Sequence, residues 1–128
     1  MKKILFSDKA PKPIGPYSQA VGFENFIYTC GQVALGSDGK LISDDVKAQT
    51  RQVLENLKNI LEDNNSSLDN VIKVMVFLKD MKDFSEMNEV YAEYFTSSFP
   101  ARSTVAVAAL PLDARVEIEV ISHKNSLE

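Results

Sequence analysis

Apolar residues recur at helical spacing in two stretches of this chain. From Asp44 to about Asn64 they fall on one helical face, and two aspartates in the first turn complement the helix dipole. In the second stretch, Asp83 and Glu86 resemble a capping box, and aromatic residues keep the helical period until Pro100. The apolar positions are Val46, Val53, Leu54, Leu57, Ile60 and Leu61 in the first stretch and Phe84, Met87, Tyr91, Tyr94 and Phe95 in the second. The pattern predicts two amphipathic helices.

Shorter stretches rich in β-branched and aromatic residues predict strands. Residues 19–23 and 26–32 flank a short link and predict a hairpin. Residues 70–80 alternate in polarity and predict a central strand, and residues 103–109 and 115–122 predict the last two strands. In the central strand one face is predicted to carry Ile72, Val74, Val76 and Leu78, and the other Lys73, Met75 and Phe77.

The order of these elements predicts an α+β fold, with one mixed or antiparallel sheet and both helices on one of its faces. The length of 128 residues, without repeats or flexible linkers, predicts a single domain over residues 1–128. The second face of the sheet would be uncovered. It is predicted to carry Met75, Phe77, Ala106 and Ala108, and an exposed apolar face predicts self-association.

Charge narrows the class of partner. With 14 basic and 18 acidic residues the net charge is −4, which leaves no basic stripe for phosphates and weighs against nucleic acid and anionic membranes. A small-molecule partner is therefore predicted. The apolar run Ile4–Phe6 before Ser7 is too short for a signal peptide, and no apolar run reaches about 18 residues, so a cytoplasmic location is expected.

Arg102 stands directly ahead of a run of small apolar residues, an unusual place for a charge. In an alternating strand it shares a face with Thr104, Ala106 and Ala108. One interpretation is that its planar guanidinium binds the carboxylate of a ligand bidentately. The other is a structural salt bridge or a surface arginine, and the residue pattern alone favours this second interpretation.

Glu117 and Glu119 are two residues apart and project from the face opposite Val116, Ile118 and Val120. A carboxylate within hydrogen-bond reach of a reacting nitrogen can orient a water and exchange protons with it. The alternative is the solvated outer face of an edge strand, where charges discourage aggregation. The residues favour this alternative for Glu119 and leave both interpretations open for Glu117.

Cys30 is the single cysteine and is predicted to share a strand face with Tyr28 and Gln32. The only histidine, His123, is near the C-terminus, and no Cys/His/Asn spacing offers a source of thiolate activation. We therefore favour a pocket-lining role over a nucleophile. One cysteine and one histidine give no specific metal site, and the glycine-containing stretches match no nucleotide-binding spacing, so no metal and no cofactor are predicted.

Several stretches between about Ala10 and Ser122 resemble the sequence motifs of one known family, and they occur in the same order as in that family. They are IGPYSQA at 14–20, YTCGQVAL at 28–35, FLKDMKDFSEMNEVYAEYF at 77–95, FPARSTVAVAALP at 99–111 and VEIEVIS at 116–122. Together they resemble the RidA (YjgF-type) reactive-intermediate deaminases. The resemblance implies a chorismate-mutase-like fold, a homotrimer whose sheets close into a central barrel, and active sites in the clefts between subunits.

The resemblance also implies an activity and its residues. Members hydrolyse enamine and imine acids such as 2-aminoacrylate and 2-iminopropanoate to 2-oxo acids and ammonia, without a cofactor. By position, Arg102 is similar to the arginine that grips the substrate carboxylate, Glu117 to the glutamate that holds the attacking water, and Tyr17 to the aromatic residue that closes the pocket. The positions expected to complete the substrate site are Thr104, Cys30, Gly31 and Gln32.

Two positions depart from the family pattern and leave the substrate range open. Position 30 is commonly a serine and here is Cys30, whereas position 104 is often a cysteine and here is Thr104. Three other functions are also considered: a non-catalytic regulatory protein that binds 2-oxo acids, a ribonuclease, and a chaperone-like protein. The acidic net charge and the absence of paired histidines argue against the ribonuclease.

Overall fold

Six strands, two α-helices and three short 3-10 helices are found in the described part of the chain, which is residues 1–125 of a computed structural model. The strands are β1 (Lys3–Leu5), β2 (Ala20–Phe23), β3 (Phe26–Thr29), β4 (Val71–Leu78), β5 (Ala101–Ala106) and β6 (Val116–His123). The helices are α1 (Val46–Glu62) and α2 (Phe84–Tyr94). None of the helices in residues 1–125 is long and apolar enough to cross a membrane.

The strands form one mixed sheet in the order β1-β2-β3-β6-β4-β5. All neighbours are antiparallel except β4 and β5, which are parallel because the chain crosses over through α2 between them. Both helices pack on one face, where side chains of α1, α2 and alternate positions of the strands form the core. The predicted α+β arrangement is confirmed.

Helix α1 confirms the predicted apolar face but is shorter than predicted at both ends. Its first helical residue is Val46, because Asp45 is the N-cap and accepts a hydrogen bond from the Ala48 N–H at 2.8 Å. At the other end, the Asn64 side chain donates to the Ile60 carbonyl at 2.7 Å and satisfies one of the free carbonyls. The face that packs on the sheet is fully buried at Val53, Leu54, Leu57, Ile60 and Leu61.

The predicted capping box at Asp83 is wrong. The Asp83 side chain makes no capping bond; it is buried and accepts a hydrogen bond from Nη1 of Arg115 at 3.2 Å. The Asp83 carboxylate therefore binds the distant Arg115 and not, as the local spacing had predicted, the backbone N–H groups at the helix N-terminus. Helix α2 also ends at Tyr94, before the predicted limit at Pro100.

Two features of the strands differ from the prediction. The short strand β1 was not predicted, because three residues are too few to show an alternating pattern. In β4 the pairing with β6 shifts between Val71 and Lys73, so Val71 is buried while Ile72 is exposed. A bulge reverses the face of the residues before it, and the prediction that Ile72 shares the buried face of Val74 is wrong.

The face of the sheet away from the helices is called the open face below. Paired residues of neighbouring strands project to the same side, so the pairing register shows which residues lie there. Ala106 pairs with Leu78 and lies on the helix-covered face, and Ala108 follows the end of β5, so their predicted place on the open face is wrong. The open face carries Tyr28, Met75, Phe77, Val105, Glu117 and Glu119.

Candidate active site

Arg102 lies on the helix-covered face of the edge strand β5, where it pairs with Val74. Its Nη1 donates to Oδ1 of Asn88 at 2.7 Å, and its guanidinium carbon lies 4.5 Å from the centre of the Tyr91 ring. None of the ion pairs formed by residues 1–125 involves Arg102. The guanidinium is thus held by an amide and by aromatic rings, and the described residues supply no carboxylate for it.

A cavity of about 480 Å³ opens beside this guanidinium. Its walls are formed by Asn88, Tyr91, Ala92, Phe95, Phe99, Pro100 and Arg102. The hydroxyls of Tyr91 and Thr104 are buried and have no hydrogen-bond partner among the described residues. Burial raises the pKa of Tyr91, and the charge of Arg102 opposes that shift. The cavity therefore combines one cation with an apolar wall.

Glu117 lies on the opposite, open face, where it pairs with Phe77 while Glu119 pairs with Met75. Strand β6 lies between β3 and β4, so the interpretation of these glutamates as the outer face of an edge strand is wrong. Burial, and after it the negative charge of Glu119, raises the pKa of Glu117. A partly buried carboxylate whose pKa is raised in this way is a candidate for proton exchange with a ligand.

Cys30, Gly31 and Gln32 follow β3 and form a small cleft with Tyr17. Gln32 exchanges two backbone hydrogen bonds with Ile118 on β6, at 2.9 and 3.1 Å, and its Nε2 donates to Sγ of Cys30 at 3.3 Å. Burial raises the pKa of the Cys30 thiol, the bond from Gln32 opposes the shift, and Glu117 adds to it. Cys30 is therefore a neutral thiol that lines the cleft.

Tyr17 is held by the backbone of a sharp turn. Gly15 has a φ of 138°, which is a glycine conformation, and its carbonyl accepts from the Tyr17 N–H at 2.9 Å. The Tyr17 hydroxyl in turn accepts from the Ile14 N–H at 3.2 Å, while 52% of the residue stays exposed. The aromatic ring is thus positioned at the mouth of the cleft.

One chain brings the predicted residues together in two separate groups. Tyr17, Cys30, Gly31 and Gln32 share the small cleft, and Gly31 contacts Glu117. Arg102 and Thr104 lie on the other face of the sheet. Asn88 and Tyr91, which contact Arg102 together with Phe84, were not among the predicted site residues, although their spacing of three places them on one helix face. No group of three or more His, Cys, Asp or Glu side chains within residues 1–125 is arranged to hold a metal ion.

The fold and these two groups define an α+β protein with an arginine-lined cavity. Residues 7–124 match the family described as Endoribonuclease L-PSP. The chain is 55% identical to a RutC family protein of Pyrococcus horikoshii over 126 residues, which are 98% of this chain and 100% of the relative. It is 46% identical to the 2-iminobutanoate/2-iminopropanoate deaminase of Mus musculus over 123 residues, 95% of this chain and 91% of the relative.

A plant relative and a solved structure agree with these matches. The chloroplastic Reactive Intermediate Deaminase A of Arabidopsis thaliana is 43% identical over 122 residues, 94% of this chain and 65% of the relative. The crystal structure of Escherichia coli TdcF with bound serine superposes with a TM-score of 0.90 at 38% identity, covering 96% of this chain and 99% of that one. The chain belongs to the Endoribonuclease L-PSP family, and its resemblance to the RidA (YjgF-type) proteins is confirmed.

Proposed function

We propose that this protein is a cofactor-independent deaminase that hydrolyses enamine and imine acids such as 2-aminoacrylate and 2-iminopropanoate to 2-oxo acids and ammonia. The observation that carries the proposal is Arg102, fixed beside a cavity of about 480 Å³ and forming no ion pair with a carboxylate of residues 1–125. A planar guanidinium held in this way is complementary to the carboxylate of a small acid. The name of the mouse relative, a deaminase of 2-imino acids, supports the same substrate class.

In the proposed mechanism Arg102 binds the substrate carboxylate and Glu117 orients one water against the imine carbon. Glu117 accepts a proton from the water as its oxygen bonds to carbon, and the proton passes to the nitrogen. The hydroxyl of this addition product then gives up its proton, which Glu117 passes to the nitrogen as the carbon–nitrogen bond breaks, so ammonia leaves and the carbon keeps the oxygen as the carbonyl of the 2-oxo acid. Tyr17 closes the pocket over the substrate, and no covalent intermediate with the protein is needed.

The proposed mechanism requires a second copy of the chain. Arg102 and Glu117 lie on opposite faces of one sheet, so one ligand cannot contact both within a single chain. The apolar residues of the open face, with Tyr28 44% and Val105 42% exposed, support association of sheets through that face. We propose a homotrimer in which each cleft takes Arg102 and Thr104 from one subunit and Glu117, Tyr17, Cys30, Gly31 and Gln32 from its neighbour.

A coupled assay tests the activity. A serine dehydratase generates 2-aminoacrylate, semicarbazide traps the imine that is not hydrolysed, and pyruvate release is followed with and without the protein. We expect wild type to accelerate pyruvate release, and Arg102→Ala and Glu117→Ala to lose at least about 100-fold of that activity. The matched controls are Arg51→Ala and Glu93→Ala, which remove an exposed ion pair between the helices. Wild type that performs no better than buffer contradicts the proposal.

The second candidate is a non-catalytic regulatory protein whose cleft binds a 2-oxo acid. The solved relative with bound serine favours this candidate, because that ligand carries the carboxylate but not the imine. Calorimetry with pyruvate or 2-oxobutanoate, run beside the coupled assay, separates the two functions. Binding that requires Arg102, without turnover and without a need for Glu117, would establish the regulatory function.

A further inference from the structure

The Glu117 carboxylate lies directly against the backbone of Gly31. A Cβ placed on Gly31 would lie 2.7 Å from Cδ and 3.0 Å from Cγ of Glu117, and closer still to Oε2. Side chains do not approach one another this closely, so a side chain at position 31 and the observed carboxylate position exclude each other. The contact uses the space that the missing Cβ leaves.

Space, and not backbone conformation, is what requires glycine at this position. Gly15 and Gly39 are the described glycines with positive φ, and Gly31 is not among them. An alanine therefore fits the backbone of residue 31 without strain. Its only obstacles within 3.0 Å are atoms of the Glu117 side chain. The backbone around this contact is fixed, because both the N–H and the carbonyl of Gln32 form hydrogen bonds with the backbone of Ile118 on β6.

We propose that Gly31 is a positioning residue. Because it has no Cβ, the Glu117 carboxylate can lie directly against the backbone that follows β3, at the place where it orients the attacking water. The inference rests on the proposed function, in which Glu117 exchanges protons with that water. Gly31 acts through Glu117 and makes no direct contribution of its own to the chemistry. This positioning role is separate from the place of Gly31 in the wall of the small cleft.

The geometry separates the effect on catalysis from the effect on folding. The atoms that a methyl group at position 31 displaces are the far end of a flexible side chain, which can rotate away at small cost. A shift of the carboxylate on the order of 1 Å is enough to lower a rate about 100-fold. Carboxylate binding depends on Arg102, on the opposite face, and is untouched by the change.

A double-mutant cycle tests the inference in the coupled assay. Gly31→Ala is expected to lower kcat about 100-fold and to leave KM within about twofold. In the Glu117→Gln background the same change is expected to have no further effect, because the group through which Gly31 acts is gone. Gly22→Ala on β2 is the matched control, since its Cβ would approach Leu5 at 3.2 Å, away from Glu117. Wild-type kcat in Gly31→Ala, or an equal loss in both backgrounds, overturns the inference.

A titration of Glu117 tests, independently of turnover, whether Gly31 positions the Glu117 carboxylate. The carboxyl carbon of Glu117 is followed by ¹³C NMR against pH in wild type and in Gly31→Ala. The displaced carboxylate is more solvated, so its pKa is expected to fall in the variant, and the acid limb of the kcat/KM profile is expected to shift to lower pH with it. An unchanged titration overturns the inference even where wild type shows no deaminase activity. The failure of the proposed function is thus distinguishable from the failure of this inference.

A compensating variant covers the case in which Gly31→Ala does not fold. Aspartate at position 117 is shorter by one methylene and withdraws the carboxylate from the place that the new methyl group occupies. The double variant Gly31→Ala with Glu117→Asp is therefore expected to recover the wild-type circular dichroism spectrum and melting temperature to within about 3 °C. A double variant that stays unfolded overturns the inference, because the obstacle at position 31 is then not Glu117.

Discussion

Arg102 and Glu117 project from opposite faces of the same sheet. Arg102 pairs with Val74 on the helix-covered face, and Glu117 pairs with Phe77 on the open face two strands away. A substrate of a few heavy atoms cannot reach around a sheet to both groups. The proposed deaminase therefore depends on assembly as much as on the residues themselves, and the dependence can be measured.

Mixed assembly of two inactive variants should restore activity. Chains with Arg102→Ala and chains with Glu117→Ala are co-expressed in equal amounts, so that the proposed trimer would assemble from them at random. If each cleft takes Arg102 from one chain and Glu117 from the next, about one cleft in four regains both groups. We expect about a quarter of the wild-type pyruvate release, measured in the coupled assay at equal total protein.

A second mixture gives the control for this prediction. Wild type is combined with an equal amount of the double variant Arg102→Ala, Glu117→Ala. Shared clefts again predict about a quarter of wild-type activity, whereas a site within one chain predicts about half. No recovery in the first mixture together with half activity in the second would contradict the shared cleft.

Tyr91 offers a prediction that separates its ring from its hydroxyl. The ring supports the Arg102 guanidinium at 4.5 Å, while the hydroxyl is buried without a partner among the described residues. Tyr91→Phe removes an unsatisfied polar group and should raise the free energy of unfolding by about 1 kcal/mol, measured by urea denaturation. Because the ring remains, KM for the imine should stay within about twofold of wild type.

Tyr91→Leu removes the ring as well and should act differently. Loss of the cation–π contact and of buried aromatic surface should lower the free energy of unfolding by about 2 kcal/mol and raise KM about tenfold, as Arg102 loses its support. The coupled assay measures KM for both variants. Equal losses of activity in Tyr91→Phe and Tyr91→Leu would show that the hydroxyl, and not the ring, serves the site.

Arg115, directly ahead of β6, contacts the segments that lead into α1 and α2, and its removal should destabilise the fold. It donates to the Asp44 carbonyl from Nε at 2.6 Å and to the Asp83 carboxylate from Nη1 at 3.2 Å. Asp83 is 5% exposed, so Arg115→Ala leaves a buried charge without its partner. We expect the free energy of unfolding to fall by about 2 kcal/mol, reduced from the value for a fully buried pair because Arg115 is partly exposed. Arg51→Ala, which breaks an exposed pair, should change it by less than about 0.5 kcal/mol; equal effects would contradict this account.

The sequence pattern was reliable where burial alone decides the structure. Val53 and Leu57 recur at helical spacing because the helix packs on the sheet, and both are fully buried. The pattern failed where a distant partner intervenes. Asp83 is spaced for a capping box, but Arg115 takes its carboxylate. The bulge after Val71 reverses the face of Ile72, and nothing in the local alternation reveals it.

In the candidate site too, the sequence predicted local features correctly and missed those that depend on distant parts of the chain. Arg102 and Glu117 were assigned to roles through the family resemblance, and strand alternation correctly placed Arg102 on the face of Thr104. Alternation within one strand cannot reveal which face the helices cover, so the opposite placement of Arg102 and Glu117 became evident only from the pairing with β4. Asn88 lies three residues from Tyr91 on one face of the helix, but such a spacing is common in helices, and the bond of Asn88 to Arg102 depends on tertiary packing.

The raised pKa of Glu117 predicts that the proposed active site lowers stability at neutral pH. Burial and the charge of Glu119 raise this pKa above the ordinary value of 4.5, so the folded chain binds the proton more tightly than the unfolded chain. The stability that this group contributes is fully present below its unfolded pKa and is lost as the pH rises through its folded pKa. Glu117→Gln removes the ionisation and should therefore melt at a higher temperature than wild type at about pH 7, with no difference at about pH 3.5.

Circular dichroism melts of wild type and Glu117→Gln at both pH values measure this difference. Glu62→Gln, at the exposed end of α1 and outside the ion pairs of the described residues, shows what the loss of a carboxylate does by itself. A Glu117→Gln variant that is less stable than wild type at about pH 7 would mean that the folded chain stabilises the ionised carboxylate. In that case Glu117 would serve as a structural anion, and another group would have to accept the proton from the water.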